Sequence, residues 1–274
     1  MIRRHRRLMR LLFPSIIAAL ASSASVALAS SSSWHTMEGA RLRIVTAGAP
    51  DKSGVIRGML QIDLKPGWKT YWRDPGASGV PPSVDISGST NVESAVVSYP
   101  APMRFDDESG PWNGYKHSVA LPVSFRLAEP GAPAAITAEV FVGVCETVCV
   151  PVQATLSVDP AQDPDNFDDA IAIKRAVAAL PADAQPEFGA TLLSSDKDKL
   201  EISVAFKGDR DTVDLFVAGV DGYTLGVPEK TVAGDAMAFR IPILERPQNN
   251  PSGKGLPYTL VTKAGALDGF IPYP

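Results

Sequence analysis

Apolar and polar positions alternate along most of this chain. In "MLQIDL", Leu60, Ile62 and Leu64 are spaced two apart and so point to one face of a strand. "RLRIVTAG", "NVESAVVSYP", "HSVALPVSFRL" and "AAITAEVFVGV" repeat that texture between proline- and glycine-bearing turns. The pattern predicts six or seven strands of a β-sandwich. The clearest pair lies at its end. Ile136, Ala138, Val140, Val142 and Val144 share one strand face, and Val150, Val152, Ala154, Leu156 and Val158 share one face of the next. Only Glu146-Thr147-Val148 separates Cys145 from Cys149, so the two runs read as the arms of a tight hairpin. Pro151 lacks a ladder N–H and predicts an edge or irregular strand.

The texture changes at "DPAQDPDNFDDAIAIKRAVAALPADAQP". Asp163 or Asp165 is expected to cap a helix whose first turn is acidic and whose later residues include Lys174 and Arg175, as the helix dipole favours. Phe167, Ile171, Val177 and Leu180 form a partial apolar stripe, and Pro181 stops it. This predicts a helical linker over 161–186. From 187 to 274, "LEISVAF", "DTVDLFVAG", "MAFRIPIL" and "LPYTLVTKAGALDGFIPYP" again read as strands, a second and smaller sandwich without cysteine or histidine. The expected fold class is therefore all-β, two sandwich domains joined by a short helix, the first covering 30–160. The 24 prolines and 22 glycines favour such short strands over a helical or doubly wound fold.

The N-terminus follows a different pattern. Five arginines at positions 3, 4, 6, 7 and 10 precede the apolar run "LLFPSIIAAL" and the small-residue ending Ala27-Leu28-Ala29. Residues 1–29 thus read as a cleaved secretory signal peptide, too short in its apolar core to serve as a membrane anchor. Its removal leaves 21 Lys+Arg against 30 Asp+Glu, a net charge of −9. An exported, acidic protein is a poor candidate for binding nucleic acid or an anionic membrane surface. The chain has no G-x-S-x-G, phosphate-binding glycine loop or H-E-x-x-H, so a hydrolase has no positive support.

Cys145 and Cys149 are the only cysteines, and three chemistries are open to them. Pairing across the turn would bring their Cα atoms to roughly 5–6 Å, within disulfide range. A structural bridge is common in exported proteins, yet a three-residue loop restrains little of the unfolded chain. A short, turn-constrained disulfide is better suited to being opened and closed by another thiol. Two thiolates could also hold Cu(I). Zinc would want further ligands, and His35 and His117 lie far away in sequence.

The cysteines do not stand alone. "GWKTYWRDPGASGVPPSVDI", "SYPAPMRFDDESGPWNGYKHSVALPVSF" and "VFVGVCETVCVPVQATLSV" together resemble the periplasmic N-terminal domain of the DsbD family of thiol:disulfide interchange proteins, and the second β-region resembles the ScsB-like branch. The resemblance implies immunoglobulin-like sandwiches, no cofactor, and a periplasmic module that relays reducing equivalents from a membrane-embedded thiol reductant to thioredoxin-like or disulfide isomerase proteins. It implies that Cys149 meets partners and Cys145 resolves the mixed disulfide. It places an aromatic cap in "MRFDDESGPWNGY", with Phe105 as the lid and Trp112 and Tyr115 behind it. Asp106, Asp107 and Glu108 beside the thiols would raise a thiol pKa by like-charge repulsion. Trp68 and Trp72 are expected to pack a strand-loop corner, with Arg73 and Asp74 paired locally. These 274 residues show neither a polytopic membrane segment nor a thioredoxin-like domain. The expectation is that separate proteins supply those parts, or that the chain is a dedicated acceptor linked to copper tolerance.

Overall fold

The computed structural model describes residues 30–77, 79–107, 110–233, 236–249 and 251–274. The proposed signal peptide and Glu108 lie outside the described residues. The first sandwich runs through β1 (His35–Thr36), β2 (Ala40–Ala47), β3 (Val55–Leu64), β4 (Lys69–Tyr71), β5 (Ser83–Asp85), β6 (Val92–Val97), β7 (Met103–Asp107), β8 (Gly110–Tyr115), β9 (Val119–Leu127), β10 (Ile136–Cys145) and β11 (Cys149–Val158). One sheet has the order β1-β2-β3-β9-β6. The facing sheet has the order β11-β10-β4-β8-β7, with β5 also on β10. Leu42, Ile44, Leu60, Ile62, Leu121 and Phe125 from the first sheet meet Ile136, Val140, Val142 and Leu156 from the second. That is the alternation read from the sequence, with each apolar set turned inward.

The terminal hairpin has the predicted register. Ile136 faces Val158, Val140 faces Ala154, Val144 faces Val150, and Cys145 faces Cys149. A one-residue slip would turn every apolar side chain outward, so burial specifies this pairing strongly. Strand β11 is a sheet edge, as Pro151 requires. Elsewhere the strands outnumber the expectation. The supposed strand-loop corner is β4, an interior strand of the second sheet, and the supposed cap loop is a β-hairpin, β7–β8. Both are too short to show a period in the sequence.

Helix α1 (Phe167–Ala178) follows. Its N-cap is Asn166, whose side chain accepts from the Asp169 amide at 3.0 Å, so neither Asp163 nor Asp165 is the capping residue. The expected stripe is also corrected. Phe167 is 74% exposed, while Ile173 and Ala176 pack on Val45 and Met59 at the outer face of the first sheet. Ser30 Oγ donates to Asp169 at 2.7 Å and adds to this docking. The sheet surface available to the helix, rather than the most apolar stripe, selects the buried face.

The second sandwich comprises β12 (Ala182–Asp183), β13 (Gly189–Ser195), β14 (Lys199–Ala205), β15 (Asp214–Val217), β16 (Thr224–Leu225), β17 (Glu229–Ala233), β18 (Ala236–Glu245), β19 (Leu256–Thr262) and β20 (Gly265–Ile271). Its sheets run β12-β20-β19-β15 and β13-β14-β18-β16, with β17 also on β18. Strand β12, within the stretch read as linker, already pairs in parallel with β20. The observed class is the expected one: two β-sandwiches with a short helix between them.

The sandwiches share a packed boundary. Trp72, fully buried, meets Phe216 edge to face at 5.8 Å, and Phe216 and Ala218 join the core of the first sandwich. Arg73 does not pair with Asp74. Its guanidinium donates to Asp268 at 3.0 Å, while Asp74 accepts from the Gly219 amide at 2.7 Å. Asp74 also accepts locally from the Gly76 amide at 3.0 Å, but both side chains reach across to the other sandwich, which no local spacing could reveal.

Candidate functional site

Cys145 ends β10 and Cys149 begins β11, so the disulfide is the last rung of the ladder. Their Cα atoms lie 4.1 Å apart, closer than the 5–6 Å expected, because the two residues face each other directly across the turn. Exposure divides the pair. Cys145 is 1% exposed, whereas Cys149 and Val148 stand in solvent.

Cys145 belongs to a small cluster with Tyr71 and Trp112, separate from the main core, and Phe105 packs against it. The period of two explains the assembly. On β7, Met103, Phe105 and Asp107 share one face and Arg104 takes the other. Phe105 lies opposite Trp112 in the β7–β8 register, and the rings stack at 4.4 Å. Trp112 meets Tyr71 edge to face at 5.9 Å. Lys116 Nζ sits 4.2 Å from the Phe105 ring centroid and Lys69 Nζ 4.3 Å from that of Trp112, so cations cover the aromatic layers.

Tyr71 is the residue that sequence reasoning missed. Its hydroxyl lies 3.0 Å from Cys145 Sγ and 3.2 Å from Cys149 Sγ. Disulfide sulfurs carry no hydrogen, so the phenol donates to them. Burial first, and the charge of Asp107 second, raise the Tyr71 pKa, which keeps that donor protonated at neutral pH. Gly143 makes room for the ring: a Cβ there would stand 3.0 Å from two Tyr71 ring carbons. No signal in the sequence marked it: β4 is three residues long, and its pairing with the cysteine-bearing strand exists only in the fold.

The remaining expected site residues separate. Asp107 accepts from Trp112 Nε1 at 2.8 Å and forms an ion pair with Lys69. Its charge is thus largely offset, which corrects the picture of an acidic run aimed at the thiols. Asp106 is exposed. Tyr115 is not behind the cap. It packs against the main core and donates to the Pro100 carbonyl at 2.8 Å, with burial pushing its phenol pKa well above the usual value. Among the described residues, no group of three or more His, Cys, Asp or Glu gathers to hold a metal ion, and no helix is long and apolar enough to cross a membrane.

Known proteins bear on this geometry. Residues 45–160 match the family described as thiol:disulfide interchange protein DsbD, N-terminal. These residues form a DsbD N-terminal domain. The match spans β2 to the cysteine hairpin and so contains every residue of the disulfide cluster. The chain is also similar to the crystal structure of the N-terminal periplasmic domain of ScsB from Proteus mirabilis. The TM-score is 0.72 at 21% identity, covering 90% of this chain and 100% of the other. That likeness shows the fold, and it extends over both sandwiches. No curated protein sequence matches the chain. With its disulfide in place, the DsbD N-terminal domain is a thiol–disulfide exchange module.

Proposed function

We propose that the Cys145–Cys149 pair relays reducing equivalents in the periplasm, from a membrane-embedded thiol reductant to thioredoxin-like or disulfide isomerase proteins. The observation that carries this reading is the split exposure of one disulfide, with Cys149 open to a partner and Cys145 buried beside Tyr71 and Trp112. A donor thiolate attacks Cys149 Sγ in line with the S–S bond, which breaks and releases Cys145 as a thiolate. The Tyr71 O–H faces that leaving sulfur and lowers the cost of its negative charge. The donor's second thiolate then attacks the mixed disulfide and frees Cys149. The donor ends as a disulfide, and the pair has gained two electrons and two protons. Toward an acceptor disulfide the sequence runs in reverse: Cys149 attacks and Cys145 resolves.

Phe105 and Trp112 act in this reading as a cap over the buried sulfur, which shields a reduced pair from stray oxidants. The N-terminal 29 residues serve for export. Equilibration of the protein lacking residues 1–29 in glutathione or dithiothreitol buffers tests the proposal. A reduction potential between roughly −120 and −270 mV supports exchange, and Cys145→Ala should then accumulate mixed disulfides through Cys149. A value below about −300 mV would make the pair a structural staple and sink the relay.

A further inference from the structure

The second sandwich carries no thiol, yet one of its residues reaches the hairpin that bears Phe105 and Trp112. Arg104 immediately precedes Phe105 and takes the opposite face of β7. Its guanidinium forks onto Asp214, with Nε to Oδ2 at 3.2 Å and Nη2 to Oδ1 at 3.3 Å. Nη2 also donates to the Leu215 carbonyl at 2.9 Å, and the group lies 4.6 Å from the Phe216 ring centroid. Nη1 donates back across the hairpin to Asn113 Oδ1 at 3.2 Å. Asn113 is the rung partner of Arg104, and the next rung is Phe105 with Trp112. One guanidinium therefore ties both strands of the hairpin, at the rung beside the aromatic stack, to the edge strand β15.

The other attachments of this rung reinforce the tie. Asn113 Nδ2 donates to the Asp74 carbonyl at 3.0 Å, and the Asp74 carboxylate accepts from Gly219 of the second sandwich. A planar guanidinium bound at two carboxylate oxygens and a carbonyl fixes orientation as well as distance, which a lysine could not do.

We infer that the second sandwich is a positioning element for the disulfide site: through Asp214 it holds Arg104, and through Arg104 it keeps the Phe105–Trp112 stack closed over Cys145. Arg104 and Asp214 are positioning residues, since neither touches a sulfur. The inference rests on the exchange reading only for its purpose. The mechanical claim, that β15 sets the access of Cys145, stands on the contacts alone.

The test uses the full chain with two variants on opposite sides of the boundary, Asp214→Asn and Arg104→Gln. Each is reduced with dithiothreitol, desalted and treated with iodoacetamide, and alkylation of each cysteine is followed by mass spectrometry. Cys149 should react first in the unmodified protein. Each variant should raise the Cys145 rate about three- to tenfold, the release expected for a partly buried charged fork, with the Cys149 rate changed less than about twofold. Hydrogen exchange of the oxidised variants should quicken in peptides covering 103–115 and stay unchanged in β14 and β18. Glu201→Gln removes a different ion pair of the second sandwich, with Arg240, and should leave both alkylation rates as they were. Unchanged Cys145 alkylation in both variants would overturn the inference. So would an equal rise at both cysteines with faster exchange throughout the second sandwich, because that is general loosening. Neither readout needs a protein partner. A structural reduction potential would therefore remove the exchange reading while leaving this result to be judged separately.

Discussion

The two sandwiches differ in what they do with their aromatic rings. In the second, Phe239 and Tyr258 join Ile202, Leu215 and Leu260 in one core. In the first, Trp72 and Phe125 do the same, but Tyr71 and Trp112 are set apart with Cys145 and topped by Phe105. These rings still bury apolar area, yet their polar tips and a sulfur occupy the space that aliphatic side chains fill elsewhere. A chemical site here is a piece of core that has been moved to the end of a sheet. In the proposed reading, core rings carry stability, while the displaced rings govern access to a bond.

That contrast can be broken by truncation. Phe239→Ala should cost about 3–5 kcal/mol, read from urea denaturation, because it empties a fully buried site. Phe105→Ala should cost only about 1 kcal/mol, roughly the worth of a partly exposed stacked pair, yet should speed reduction of the disulfide by dithiothreitol. Equal losses for the two would erase the distinction.

A smaller effect separates core phenols from site phenols by pH. Burial raises the Tyr99 pKa to about 12, and its hydroxyl donates to the Pro82 carbonyl at 3.0 Å. The unfolded phenol ionises near 10, so the folded state binds the proton more tightly. Stability from this group is intact below pH 10 and is lost as pH rises from 10 towards 12, about 2–3 kcal/mol in all. In Tyr99→Phe the alkaline loss should shrink by that amount in denaturation curves measured between pH 9 and 12.

Replacing both cysteines by alanine should cost about 2 kcal/mol or less, since the closed loop is so short. A loss above about 4 kcal/mol would mean that the bridge staples the fold. The smallest expected shift belongs to Tyr71→Phe. Losing a donor worth about 1 kcal/mol to a thiolate should lower the reduction potential of the pair by about 20 mV. A rise in potential instead would show that the hydroxyl favours the disulfide over the thiols.

Much of the site was legible because its hairpin is long and two-faced. Alternation along most of β10 and all of β11 defines the register, and the register brings Cys145 opposite Cys149. Phe105 and Trp112 could be placed near the thiols only by resemblance, because five- and six-residue strands carry too little periodicity to announce a hairpin. Tyr71 was hidden by its setting in "GWKTYWRDPG", among three aromatic residues of one short segment. Trp68 and Trp72 joined the main core, and Tyr71 turned to the sulfurs.

The sequence by itself determined the two-sandwich architecture, the inward face of the long strands, the partnership of the cysteines and the presence of a helix between the sandwiches. These depend on local alternation and on residues near one another in the chain, where a one-residue error exposes a whole apolar face. Only the tertiary structure decided that Asn166 rather than an aspartate caps α1, that Asp107 faces Lys69, that Arg73 reaches Asp268, and that Arg104 joins the hairpin to Asp214. A charged or hydrogen-bonding side chain takes whichever partner lies within about 3 Å. Which partner that is depends on how the sheets and the two sandwiches pack, so spacing along the chain does not contain it.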